Sequence, residues 1–254
     1  MTSTQSRREW APFERDAAEN DGYLYTTNPR RSSQIASLRH SEAVYDAVDF
    51  HGKRVIDIGC GDGTYSVEIY DRGEPSSIFA LDPAASALDI ARRKAGGRNI
   101  TFEAASAYQI PCGDETFDIA HLRGVLHHMD RPFDALSEAF RVAPTIIVLE
   151  PNGYNLGLKM IEKVSRYHRM HGEKSYPPSR LDRWVRRLGG KVIHRDWACL
   201  VPYFCPDWFA RGMKAIEPIV ESIPVVNQLG CSTYIMVATR GEGARVAVRI
   251  RPQG

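Results

Sequence analysis

Strand and helix signals alternate along most of this 254-residue chain, and the alternation predicts an α/β fold built on a Rossmann-like, doubly wound sheet. Three observations carry that expectation. The apolar run Val55-Ile56-Asp57-Ile58 leads into Gly59-Cys60-Gly61-Asp62-Gly63-Thr64, three glycines at alternate positions ahead of a helical pattern. A second run, Ser77 to Leu81, ends in Asp82, nineteen residues after Gly63. A third, Phe117 to Leu122, passes into Arg123-Gly124-Val125-Leu126-His127-His128-Met129.

Taken in order, the strands are expected at Arg54–Ile58, Ile78–Leu81, Ile100–Ala104, Phe117–His121, Thr145–Glu150, Lys191–Trp197 and Thr233–Thr239. Helices should begin near Gly63, Ala84, Pro132 and Ser179. Pro83 stands near the first turn of its helix, where a missing N–H does no harm. The helix from Ser179 has the cap pattern Ser179-x-x-Asp182 and stops at Gly189-Gly190. In open sheets of this kind ligands sit beyond the carboxyl ends of the strands, where the strand order reverses. Gly59, Asp82, Ser106, Arg123 and Glu150 all fall at such ends, which implies one site.

Residues 1–43 read as an N-terminal cap segment carrying Tyr23, Tyr25 and an Asn28-Pro29 turn. The main domain is expected over 44–239, with inserts at 151–178 and 201–230, and 240–254 as a disordered tail. Connections this long in an α/β domain commonly serve as lids. The beginning of the chain is polar, with no apolar leader run, and the longest strongly apolar run, Thr145 to Leu149, is far too short to span a bilayer. Five cysteines, odd in number and without metal spacing, imply a reduced, cytoplasmic setting.

The glycine turn narrows the ligand. Without Cβ atoms, Gly59, Gly61 and Gly63 let backbone touch what lies over them, and the following helix aims N–H groups at the same place. A phosphate-cradling loop would end in Lys, which Gly63-Thr64 lacks, and the dinucleotide fingerprint wants Gly or Ala where Thr64 stands. What remains is a ligand whose cationic end meets Asp57. The stretch Val55 to Thr64 resembles motif I of the class I S-adenosylmethionine-dependent methyltransferases. Val125-Leu126-His127-His128 is similar to the short helix after that family's fourth strand, and the resemblance runs from Lys53 to Glu150.

The resemblance implies seven strands, mostly parallel with the last inserted antiparallel, helical inserts forming a lid, and S-adenosylmethionine as cofactor. It implies that Gly59, Cys60 and Gly61 approach the methionine portion, with Asp57 near its ammonium. Asp82, followed by Pro83, would accept the ribose hydroxyls. Ser106 and Ala107 would lie by the adenine, where the family commonly has Asp-Ala, and Ile110 with Pro111 would wall the ring. Arg123 completes the expected cofactor contacts.

For catalysis His127 is the first candidate base, since imidazole titrates near working pH, and His128 is the alternative. Phosphobase methyltransferases pair a histidine at this place with an N-terminal tyrosine, a part open to Tyr23 or Tyr25. No metal is expected, because Arg123 stands where metal-dependent members place an acid. From Lys159 to Arg195 there are eleven Lys/Arg against Glu162, Glu173 and Asp182. These cations are either solvated helix faces or a lid that meets an anionic acceptor or a membrane surface. A net charge of +2 without an aromatic-basic repeat argues against nucleic acid. The expected activity is metal-independent methyl transfer to O, N or C of a small-molecule or lipid-like acceptor in small-molecule biosynthesis. Two readings stay open beside it: a nicotinamide oxidoreductase, disfavoured by Thr64, and an inactive cofactor-binding interaction module.

Overall fold

The computed structural model describes residues 3–164, 174–203 and 205–241. Its seven strands are β1 (Arg54–Ile58), β2 (Ser77–Asp82), β3 (Ile100–Ala104), β4 (Ile119–Arg123), β5 (Thr145–Pro151), β6 (Lys191–Ala198) and β7 (Thr233–Thr239). They lie in the order β3-β2-β1-β4-β5-β7-β6. β7 runs antiparallel between β5 and β6, and the remaining pairs are parallel. The order reverses beside β1, so the ends of β1, β2 and β4 open the crevice where a ligand is expected.

Alternation along each strand divides the apolar side chains between two layers. Ile56, Ile58, Ala120, Leu122, Ile146 and Val148 pack on one face, against the helix Pro132–Val142 and the helix Pro178–Arg187. Val55, Ile78, Ile119, Ile147, Leu149, Ile235 and Val237 pack on the other, against a helix at Arg31–Ala47 and its neighbours. Both faces are covered, and the central strands therefore read as continuous apolar runs.

β4 begins two residues later than expected. Phe117 N–H donates to the Val142 carbonyl (3.0 Å), and Asp118 meets Arg54 twice ahead of the regular ladder, its N–H donating to the Arg54 carbonyl and its carboxylate accepting from Arg54 N–H (both 2.8 Å). Ladder pairing starts at Ile119, opposite Val55 on one side and Thr145 on the other. The N-terminal region is helical: α1 (Ser3–Asn20), α2 (Leu24–Thr27) and α3 (Arg31–Ala47), with α3 crossing the expected boundary at residue 44. The next helices are α4 (Thr64–Gly73), α5 (Ala85–Ala95) and α6 (Pro132–Val142).

The first insert contains α7 (Leu156–Val164) and leads to α8 (Pro178–Arg187). The second contains α9 (Asp207–Ser222) and α10 (Val226–Gly230). It is tied to α3 by a two-pronged ion pair in which Arg39 Nε and Nη2 donate to Glu221 at 2.9 and 2.7 Å. Residues 165–173, which include Arg166, His168 and His171, lie outside the described residues, as does the tail from 242. Among the described residues no helix is long and apolar enough to cross a membrane.

Ile147 is fully buried at the centre of the sheet, between His121 of β4 and Val237 of β7. Ile147→Ala should cost about 2–5 kcal/mol of stability. Urea unfolding checks this as a lower midpoint with an unchanged slope.

Candidate functional site

The glycine turn is fastened to the neighbouring strand. Gly59 and Gly61 hold φ of 76° and 54°, a left-handed backbone that favours glycine. A Cβ at Gly59 would strike Val125, and one at Gly61 would strike the ring of Tyr23. Gly59 and Cys60 N–H both donate to the Leu81 carbonyl (2.8 and 3.0 Å), and Gly61 N–H donates to Asp82 Oδ2 (3.0 Å). Gly63 N–H turns back to the Cys60 carbonyl and Thr64 N–H to Asp62 Oδ1. These amides are engaged within the protein, whereas the sequence suggested a turn and helix end directing theirs at a ligand.

Asp62, which sequence reasoning passed over, joins this turn to the N-terminal helices. Its buried carboxylate accepts from Tyr23 N–H (3.2 Å) and the Thr26 hydroxyl, and pairs with Lys94 Nζ at 2.9 Å. Burial alone would raise its pKa, but the bonds from Thr26, Lys94 and Thr64 outweigh burial and lower it. The carboxylate thus pulls the segment around Tyr23 down over the turn.

Beneath that segment lies a cavity of about 210 Å³ at the carboxyl ends of β1, β2 and β4. Gly59, Cys60, Gly61, Asp82, Pro83, Ser106, Ala107 and Arg123 all border it, and so do Tyr23 and Tyr25. Trp10 and Phe13 of α1, Tyr65, Val125, His128 and Met129 complete an aromatic-rich wall. The signal for α1 was available as Trp10 and Phe13 at helical spacing in an otherwise polar stretch.

Burial sets the charge states around the cavity. It pushes the Asp82 carboxyl up to about 6, against the Ala84 and Gly61 amides that favour the carboxylate. The Cys60 thiol is pushed well above its ordinary value by burial and then by Asp82, so it stays protonated. Burial and then Asp82 likewise raise the Tyr23 phenol, which remains neutral.

Several expected roles find different geometry. Asp57 does not border the cavity: Ser66 Oγ donates to its Oδ2 (2.5 Å), and its Oδ1 lies 2.8 Å from His121 Nδ1. Both oxygens are engaged beneath the turn, where the resemblance implied a place near a ligand's ammonium. His127 is also held away. Its Nδ1 lies 2.8 Å from Glu150 Oε2, and Glu150, itself fully buried, accepts N–H bonds from Val125, Leu126 and His127.

His128, next along the 3-10 turn Leu126–His128, borders the cavity instead. Its ring lies 3.8 Å from that of His127 and 4.8 Å from Phe13, centroid to centroid. Phe13 stands between His128 and Tyr23, and Tyr25 sets its ring edge-on to Tyr203. Among the described residues neither tyrosine is brought to His127. Ser106 caps its own turn by accepting Tyr108 N–H (3.2 Å), and Ile110 lies in the core rather than along the cavity.

The methyltransferase domain family matches residues 56–154. An uncharacterized methyltransferase of Schizosaccharomyces pombe is 32% identical over 143 residues, covering 53% of this chain and 48% of that protein. A ubiquinone biosynthesis O-methyltransferase of Rhizobium rhizogenes is 36% identical over 111 residues, 42% of this chain and 44% of that one. The chain thus spans about half the length, or less, of these curated relatives. The crystal structure of magnesium protoporphyrin IX methyltransferase from Synechocystis with bound SAH matches with a TM-score of 0.65. That match covers 94% of this chain and 100% of that one at 16% identity, a likeness of fold.

Removing the Asp62 carboxylate leaves the Tyr23 amide, the Thr26 hydroxyl and Lys94 without their acceptor. Asp62→Ala should therefore lower stability by about 2–4 kcal/mol. It should also expose residues 10–27 to limited proteolysis well before the rest of the chain, and equal cleavage rates in mutant and parent would count against the latch.

Proposed function

We propose that this chain, which carries the methyltransferase domain on a class I sheet, transfers a methyl group from S-adenosylmethionine to a small or lipid-like acceptor without a metal. One observation carries the reading. The left-handed turn at Gly59–Gly61 and the Asp82 carboxylate border one cavity, with Ser106 and Ala107 along the same wall. The glycine turn, over which Val125 and Tyr23 close, meets an acceptor suited to a vicinal diol on one cavity wall.

When bound, S-adenosylmethionine supplies a methyl group on a sulfonium together with the thioether that leaves. The chain's own part is to position, to exclude water and to move a proton. Gly59 and Gly61 would touch the amino-acid end, Asp82 would accept the ribose hydroxyls, and Ala107 would pack on the adenine. His128 is the residue placed to take a proton from an acceptor hydroxyl or amine in the cavity. His127 and Glu150 would fix the turn that presents His128. Metal independence is supported by the donor set: Arg123 ends β4, and Glu150 at the end of β5 is committed to three amides and His127.

Aromatic walls from Trp10, Phe13 and Tyr25 suit an acceptor with an apolar body. The name of the Rhizobium relative, which concerns a quinone, supports the same class. A reduced, cytoplasmic setting accords with five free cysteines. Titration calorimetry with S-adenosylhomocysteine and NADH tests the cofactor directly, and binding of NADH alone would overturn the proposal.

Two further outcomes are expected. Asp82 titrates at about 6, above its ordinary value of 3.8, so the carboxylate that accepts hydroxyls is fully formed only above that pH. S-adenosylhomocysteine affinity should accordingly be flat at neutral pH and fall below about pH 6, by at most about tenfold per pH unit. Asp82→Asn should remove that dependence in the same calorimetric titration.

For the proton transfer, His128→Ala should lower turnover about 10²–10⁴-fold while cofactor affinity stays nearly unchanged. The measurement uses an acceptor found by screening phenols and carboxylic acids for release of S-adenosylhomocysteine. A variant that keeps the parent's turnover would remove the base assignment.

A further inference from the structure

Arg123 ends β4 with its side chain at the cavity wall, half-buried and held from three sides. Its guanidinium carbon lies 3.4 Å from the centroid of the Tyr65 ring, Nη1 donates to Ser41 Oγ (2.9 Å), and Nη2 donates to the Ser37 carbonyl (3.2 Å). Among the described residues its other N–H groups have no partner and no carboxylate pairs with it. The Glu68 carboxylate reaches it only through Ser41, whose hydroxyl donates to Glu68 at 2.7 Å, and the ion pair of Glu68 is with Arg72. His40 is held neutral, its pKa pushed down to about 3 by burial and then by Arg123 and Arg39.

The other charged groups of the cavity are provided for. Asp82 accepts from Gly61 and Ala84, Asp62 from Tyr23, Thr26 and Lys94, and Asp16 from Asn20 and Leu24. In the glycine turn the amides of Gly59, Cys60, Gly61, Gly63 and Thr64 are bonded to Leu81, Asp82, Cys60 and Asp62. Among the described residues, an anion entering this cavity therefore meets one fixed, uncompensated cation, Arg123. A guanidinium held with free N–H groups is already arranged for the two parallel bonds that a carboxylate accepts. Leaving such a charge unpaired is unfavourable, and a ligand carboxylate removes that cost on binding.

We infer that Arg123 is the carboxylate receptor of this cavity. The carboxylate has two sources, the amino-acid end of the cofactor or an acid group on the methyl acceptor. Both sources rest on the methyltransferase reading; that Arg123 receives a carboxylate does not.

Calorimetry on the full chain distinguishes them, comparing the parent with Arg123→Gln and Arg123→Lys. The probes are S-adenosylhomocysteine and 5′-methylthioadenosine, which is the same nucleoside without the amino-acid end. 4-Hydroxybenzoate and decanoate, each beside its methyl ester, are titrated into the free and the S-adenosylhomocysteine-saturated protein. If the carboxylate is the cofactor's, Arg123→Gln weakens S-adenosylhomocysteine by about 10–100-fold and leaves methylthioadenosine unchanged. Arg123→Lys then restores only part of the loss, because the fork is gone. If it is the acceptor's, both nucleosides bind all three proteins alike. The acids then bind the parent better than their esters do, and Arg123→Gln abolishes that preference.

Equal binding of every probe by parent and Arg123→Gln overturns the inference, as does an acid preference that survives the substitution. A parent that binds neither nucleoside sinks the methyltransferase reading, and the acid and ester titrations still decide Arg123. Unchanged melting temperatures of the variants establish that a loss of binding is not a loss of fold.

Discussion

The site depends on the seam between the ends of β1 and β2. Three consecutive amides, from Gly59, Cys60 and Gly61, are drawn to Leu81 and Asp82 at the end of the neighbouring strand. That draw forces the chain through left-handed backbone at Gly59 and Gly61 and fixes where α4 begins. It also sets Asp82, since one oxygen accepts from Gly61 and the other from Ala84, and the carboxyl is aimed at the cavity by its own neighbours. Every other wall is placed relative to this seam. Tyr23 closes on Gly61 from above, and Val125 approaches Gly59 from the turn after β4.

A second buried carboxylate does similar work on the far side. Glu150 gathers the amides of Val125, Leu126 and His127 and so winds the 3-10 turn that follows β4. One oxygen also meets the His127 ring, which turns that ring toward β5 and leaves His128 facing α1. Asp57, bonded to the Ser66 and His121 side chains, is likewise fully engaged beneath the glycine turn. The strand-end acids thus divide into one that faces the cavity, Asp82, one that holds backbone amides, Glu150, and one that ties two side chains together, Asp57. Their engagement leaves Arg123 as the fixed positive charge of the cavity, set apart from the acids by Tyr65 and the α3 serines.

Much of this was legible in the sequence because it is local. The glycines, the strand acids and the alternation of elements are set by residues within a turn of each other, and the expected strands agree with the observed ones to within about two residues at most ends. The division of labour between His127 and His128 was not legible. A rotation of one residue about a 3-10 turn decides it, and the deciding partner, Glu150, lies on another strand. Likewise, nothing near Asp57 announces that His121 and Ser66 engage it. The roof formed by α1 was hidden for a related reason. Phe13 meets His128 across more than a hundred residues of chain, and such contacts leave only a faint apolar spacing in a polar helix.

One detail of the seam bears on the chemistry proposed for it. Cys60 lies in the turn that borders the cavity, so its sulfur would stand close to any methyl donor seated there. A thiolate is among the best nucleophiles a protein has, and an ionised Cys60 would compete with the acceptor and alkylate itself. Burial and the Asp82 carboxylate keep it as the thiol, with Sγ turned toward the Gly61 carbonyl. Burial first, and then the acid that orders the turn, thus keep a thiol rather than a thiolate beside the place proposed for the donor.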